Sequence, residues 1–236
     1  MFFVCLRGSP VIPQGEMKPR TRPIGTPAPA RLSDEGLAYG VRILARRDPD
    51  LARSLKDFGP PPMWPRKPGF ATLLYIILEQ QVSLASAKAA YRRLRQAASP
   101  LTPARFLKLD DAALKAIGFS RQKTGYGRHL AQTILARRLD LAALETMDDK
   151  AVRSALTAMR GIGPWTADIY LLMALRRPDI WPSHDLALAL SVQRVKRLKS
   201  RPIPDELDRI GAAWKPWRAV AARMLWHDYL SRRVRT

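Results

Sequence analysis

Two glycines one residue apart, Gly161 and Gly163, stand between two apolar helical segments and set how the chain must turn there. Leu156 and Met159 supply an apolar turn before them, and Trp165, Thr166 and Ala167 open an apolar helix after them. A glycine hairpin of this kind joins two helices tightly and leaves backbone N–H groups free at the start of the second. Such N–H groups make a site for a phosphate. Asp185 follows Trp165 by 20 residues and begins another helix. A phosphate clamp with a carboxylate held near it points to chemistry on nucleic acid.

Charge agrees with that direction. The chain carries 41 Lys and Arg against 20 Asp and Glu, a formal charge of +21. So large an excess suits a polyanionic partner, or a solvated arginine-rich surface of biased composition. The hairpin tips the reading toward DNA. With 47% hydrophobic residues, 236 residues can bury the core of one or two small domains. Cys5 is the single cysteine, so no disulfide forms within the chain. His129, His184 and His227 lie far apart, without zinc-ligand spacing. No apolar run reaches the roughly eighteen residues a membrane span needs, and the opening MFFVCLRG is too short in apolar content for a signal peptide.

Residues 1–31 carry Pro10, Pro13, Pro19, Pro23, Pro27 and Pro29 with little apolar periodicity, and read as a disordered basic tail. Their basic, acid-poor composition also mimics an organelle transit peptide, and Met17 offers an alternative start. Residues 32–236 read as one helical domain. Ser33 suits an N-cap, with Leu37, Val41, Leu44 and Ala45 at helical spacing. Pro60, Pro61 and Pro62 interrupt the chain. Residues 70–97 predict a buried central helix with a break near Ser83. Further helices are expected over 103–109, 111–117, 121–138, 148–158, 166–175, 185–198, 204–213 and 216–232, with Pro204 and Pro216 at first-turn positions. No alternating strand pattern stands out. The expected fold class is all-α, two helical lobes around a DNA-binding cleft.

Four blocks in order carry a resemblance. Ile77-Leu78-Glu79-Gln80-Gln81-Val82-Ser83 is the first, with Glu79 where a glycine is usual. Leu114-Lys115-Ala116-Ile117-Gly118-Phe119-Ser120, with Lys123 beyond, is the second. The glycine hairpin is the third, and Trp214-Lys215-Pro216-Trp217-Arg218, with Ala221, Ala222 and Trp226 following, is the fourth. Together with Asp185 they resemble the helix-hairpin-helix DNA glycosylases, and within them the 3-methyladenine (alkylpurine) DNA glycosylase II group. The resemblance covers roughly residues 33 to 232. The single cysteine excludes the four-cysteine iron–sulfur loop of some relatives, and the chain is too short for the N-terminal β-rich domain of the larger ones.

The resemblance implies roles for particular residues. Asp185 becomes the catalytic carboxylate, stabilising positive charge on the deoxyribose as the base leaves. The alternative is a plain N-cap, for which Asp is among the best residues, and one side chain can do both. Ser183, His184 and Asp185 are consecutive, so they do not make a nucleophile–base–orienter triad. Trp165 stands where lyase-active relatives carry a lysine that forms a Schiff base. A tryptophan there implies a monofunctional enzyme. Trp165 and Trp226, with Tyr170 and Tyr75 as weaker candidates, are expected to line a pocket for an electron-poor alkylated base. Trp165 and Trp226 also read as ordinary core aromatics. Ile169 stands where an aromatic is expected, which bears on base preference. Gln81 is expected to plug the gap left by a flipped base, or else to be a helix-surface glutamine. Gly161, Ile162, Gly163, Thr166, Arg160 and Lys123, with Arg128, are the expected DNA-binding residues.

The function implied is base excision repair: flipping alkylated purines of the 3-methyladenine and 7-methylguanine type and hydrolysing the N-glycosidic bond to leave an abasic site. A glycosylase of the same fold for oxidised, deaminated or mismatched bases, and a non-catalytic helix-hairpin-helix DNA-binding protein, are the alternatives. No organic cofactor or catalytic metal is implied, and a monovalent cation at the hairpin is allowed by analogy. The expected partner is double-stranded DNA with damaged bases, bound by a monomer, in a bacterial cytoplasm with the nucleoid or in a nucleus.

Overall fold

The computed structural model describes residues 30–235, so the expected tail lies almost wholly outside the described residues. Among the described residues every regular element is helical. In chain order the α-helices are α1 (Asp34–Arg47), α2 (Pro49–Phe58), α3 (Phe70–Glu79), α4 (Leu84–Ala97), α5 (Pro103–Leu107), α6 (Asp111–Ile117), α7 (Arg121–Leu135), α8 (Asp149–Thr157), α9 (Pro164–Ile169), α10 (Leu186–Val195), α11 (Pro204–Ala212) and α12 (Arg218–Arg235).

Most starts follow from one residue. A helix leaves its first N–H groups without partners, and a Ser, Thr or Asp just before it satisfies one or two of them. Ser33 accepts from Gly36 N and Asp48 from the N–H groups of Asp50 and Leu51. Ser83, Thr102, Asp110, Ser120 and Asp148 cap α4, α5, α6, α7 and α8 in the same way. Each such cap is worth about 0.5–2 kcal/mol. α2 has its own signal, Asp48 as cap with Pro49 in the first turn.

Two groups of helices pack separately. α1, α2, α10 and α12 form one lobe; α3 to α9 form the other, around α3. α3 is central because Leu73, Leu74, Ile76 and Ile77 are all fully buried. The strap 59–69 runs between the lobes. Its Met63 carbonyl accepts from Arg223 Nε of α12 at 3.0 Å, and Arg66 N donates to Met173 O at 3.0 Å. Arg223 has no exposed surface, and its other donors reach Ala219 O at 3.0 Å and Leu172 O at 2.8 Å. Burial pulls this guanidinium down to about 10.

The expected break near Ser83 falls between Glu79 and Leu84. Two other expectations change in detail. The helix after the hairpin does not stay α: Tyr170–Ala174 is a π-turn, closed by Leu175 N on Tyr170 O at 3.1 Å. Pro216 precedes α12 instead of opening it. The first N–H of α12, that of Arg218, is met by the Asp179 carboxylate at 3.2 Å, and the Arg218 guanidinium pairs with the same group.

Candidate active site

Asp185 sits where the lobes meet. It caps α10, accepting from Leu188 N on Oδ1 at 2.7 Å. Two indoles also donate to it, one from each lobe. Trp226 of α12 reaches Oδ1 at 3.0 Å, and Trp165 of α9 reaches Oδ2 at 2.7 Å. An ionised carboxylate offers about four acceptor positions. Three are taken, and the one left is on Oδ2. The three donors fix the orientation of the carboxylate. Such a group suits stabilising a positive charge brought close to it.

The hairpin lies at the start of α9. Gly161 takes φ +87°, and a Cβ there would come within 2.1 Å of the Tyr126 ring, so glycine is required twice over. Gly163 differs: a Cβ there would meet nothing within 4 Å. It is exposed, as are Pro164 and Arg160. Beside the turn opens a groove of about 670 Å³, lined by Gln80, Tyr126, His129 and the turn residues from Thr157 to Gly163, Arg160 among them.

Residues 74–218 match the family model described as HhH-GPD superfamily base excision DNA repair protein. The chain belongs to that superfamily. Among HhH-GPD relatives, a DNA-3-methyladenine glycosylase of Bacillus subtilis is 31% identical over 122 residues, 52% of this chain and 40% of that protein. An alkylbase DNA glycosidase-like protein of Schizosaccharomyces pombe is 28% identical over 53% of this chain and 59% of its own. The chain thus spans about half the length of these curated relatives. In solved structures, a DNA-3-methyladenine glycosidase from Bacillus halodurans is 30% identical, with 79% of this chain and 87% of that one covered at TM-score 0.66. A 3-methyladenine DNA glycosylase of Schizosaccharomyces pombe, solved with abasic DNA, shares the fold at TM-score 0.74 and 23% identity, with 79% and 94% covered.

The HhH-GPD fold gathers some of the expected site residues and removes others. Asp185, Trp165 and Trp226 come together, although Trp165 stands in α9 and Trp226 41 residues beyond Asp185. Gln81 is exposed on the loop between α3 and α4, with φ +54°. It is not a helix-surface residue. Tyr170 is a correction: its side chain is fully buried and its hydroxyl accepts from Gly69 N at 3.0 Å, so it presents nothing to a substrate. Thr166 is 2% exposed and its hydroxyl accepts from Gln80 Nε2 at 3.0 Å, which takes it away from any phosphate. The Ile162 side chain is buried beneath the turn, leaving only its backbone to act there. Lys123 is also no free cation. Its Nζ donates to Leu78 O at 2.9 Å and Gln80 O at 2.7 Å, and burial lowers its pKa from the usual lysine value. Arg128 bonds Leu109 O and pairs with Asp111. Of the side chains expected at phosphate, Arg160 is the one left exposed. Ile169 is 4% exposed, and Tyr75 stacks on Tyr91 at 4.3 Å between centroids, with the Arg66 guanidinium 4.6 Å from its ring.

Sequence reasoning missed two participants. Gln80 donates to Gly161 O at 2.9 Å as well as to Thr166, tying the α3 end to the hairpin. Glu79, noted only as a departure from glycine, holds Arg66 of the strap in a bidentate pair at 2.7 Å. The Gln-Gln pair was visible, but nothing in it says which glutamine faces inward. Among the described residues, no group of three His, Cys, Asp or Glu side chains is placed to hold a metal.

Proposed function

We propose that this HhH-GPD protein is a monofunctional DNA glycosylase that binds double-stranded DNA as a monomer, flips an alkylated purine and hydrolyses its N-glycosidic bond. The observation that carries this is Asp185, held by an indole N–H from each lobe with one acceptor position left over. A DNA-binding module needs the hairpin but has no use for that carboxylate.

The chemistry follows from the site. As the bond from C1′ to the base nitrogen breaks, its electron pair leaves with the base, and positive charge grows on the sugar. Asp185 stabilises that charge. Water adds to C1′ and releases its second proton, leaving an abasic site. A purine methylated at N3 or N7 is already cationic, departs neutral, and needs no proton from the protein. Trp165 supplies no amine. Its N–H is spent on Asp185, so no Schiff base forms there and the strand stays intact.

The exposed Gly163 backbone and Arg160 grip the DNA backbone beside the lesion, and Gln81 enters the stack in place of the flipped base. Turn carbonyls are suitable oxygen ligands for a monovalent cation. Met159 O and Gly161 O each already accept one hydrogen bond, and no step above depends on a cation. Among the described residues no helix is long and apolar enough to cross a membrane. The proposed place of action is with the DNA itself, in a bacterial nucleoid or a nucleus.

The direct test is to incubate the protein with methylated DNA and identify released bases by mass spectrometry. Release of 3-methyladenine and 7-methylguanine supports the reading. Release only of oxidised or deaminated bases from suitably damaged DNA would move the substrate class. Tight binding without any release would leave a non-catalytic binder.

A further inference from the structure

Three side chains, of Gln80, Ser83 and Lys123, anchor the exposed loop between α3 and α4. Helix ends leave carbonyls without partners, and a lysine near the end can meet them. Lys123, reaching over from α7, takes two at once, Leu78 O and Gln80 O. One residue before the exposed Gln81, the Gln80 side chain is bonded to Gly161 O and Thr166 Oγ1 across the hairpin. Two residues after Gln81, Ser83 caps α4 through Ser86 N at 3.1 Å. Gln81 itself sits at φ +54°, a conformation that L residues leave when free to do so. It is thus anchored on both sides in a backbone state it would not keep alone.

We propose that Gln80 and Lys123 are positioning residues that weld the Gln81 wedge to the glycine hairpin, so that grip on the DNA backbone is delivered as base extrusion. This rests on the glycosylase reading for the meaning of the wedge. The physical content is rigidity. Were the loop free to relax, Gln81 would fold back when it met the base stack, and backbone binding would proceed without flipping. With Gly161 O as one anchor, the distance from hairpin to wedge is fixed through a single glutamine side chain. Preorganisation of this sort removes an ordering cost at the moment of extrusion.

The test uses the full chain and two duplexes. One carries a 2′-fluoro-stabilised 7-methylguanine beside 2-aminopurine, whose fluorescence rises on extrusion. The other carries a tetrahydrofuran abasic analogue, where there is no base to extrude. Lys123→Met and Gln80→Leu are expected to slow the fluorescence rise about tenfold or more while holding affinity for the abasic duplex within about threefold. Lys123→Arg, which keeps two donors, restores the rate. In a Gln81→Ala background, which is itself slow, Lys123→Met adds nothing further. If Lys123→Met fails to fold, Gln80→Glu carries the same expectation, since it can keep Thr166 while repelling Gly161 O. A merely structural role would lower both readouts together with the melting temperature. That outcome overturns the proposal, as does an unchanged rise in the clamp variants, an unchanged rise in Gln81→Ala, or slowing that multiplies with Gln81→Ala. The glycosylase reading is tested apart from this: a normal rise with no base released from methylated DNA sinks the chemistry and leaves the clamp standing.

Discussion

Replacing Asp185 by Asn separates charge from shape at the site. A unit charge acting on a cation about 4 Å away at an effective dielectric of 20 is worth about 4 kcal/mol. If that interaction belongs to the transition state, the chemical step slows about a thousandfold. Asn caps helices as well as Asp does, so α10 should keep its start. The cost to the fold comes from elsewhere. Oδ1 receives two N–H donors and Oδ2 one. The amide can put its oxygen on the first side only by turning its own N–H group toward Trp165 Nε1, where the bond is 2.7 Å. Two donors then oppose each other, at about 1–3 kcal/mol, a fall of about 2–12 °C in melting temperature for a domain this size. Trp165→Phe in the Asp185→Asn background removes the conflict and should recover stability without recovering rate. Single-turnover release of 7-methylguanine and thermal unfolding by circular dichroism read the two quantities. A rate within tenfold of the wild-type protein would remove Asp185 from catalysis. A double variant no more stable than Asp185→Asn would mean that Trp165 is not the donor on Oδ2.

Trp226→Phe loses one N–H to a charged acceptor, about 1.5–3 kcal/mol, and should slow excision about 10- to 100-fold while lowering the melting temperature by about 3–12 °C. Trp226→Ala adds a cavity at a side chain only 7% exposed and should also cost about 3–5 kcal/mol of stability; wild-type rates for the Phe variant would leave Trp226 as packing alone. Gly161→Ala, at φ +87° and against the Tyr126 ring, should lower stability by at least about 1–3 kcal/mol. Gly163→Ala should melt as the parent does but bind lesion DNA more weakly by gel shift, and unaltered affinity would take the DNA backbone away from that glycine. Borohydride should trap no protein–DNA adduct, with strand breaks appearing only after alkali or heat; a stable adduct would show that some lysine reaches C1′ after all.

Local signals in the sequence translated directly into structure. Ser33 and Pro204 open helices where expected, and the break near Ser83 falls where a capping serine interrupts an apolar run. Asp48 followed by Pro49 was an equally plain start and went unread. Asp185, Trp165 and Trp226 stand out by motif position, but that both indoles donate to the carboxylate, across 20 and 41 residues, is written in no local pattern. Nor is the burial of Tyr170. Helical period tells which residues share a face, but not whether that face turns to the cleft or the core, and the π-turn at 170–174 shifts the faces again. Thr166 and Lys123 looked free because their partners, Gln80 and Leu78, lie 86 and 45 residues away. A side chain's availability depends on such partners, and no local pattern records them.

The buried Arg223 has a consequence for behaviour at high ionic strength. It holds the strap, α12 and the π-turn through three backbone carbonyls, out of contact with solvent. Mobile ions screen exposed charge pairs but hardly reach a cation bonded to peptide dipoles inside the protein. The proposed grip on DNA, by contrast, would displace counterions and weaken steeply as salt rises. On that reading one chain carries two electrostatic regimes: brine that would strip it from a duplex leaves the seam between its lobes intact, so release from DNA need not loosen the protein that is released.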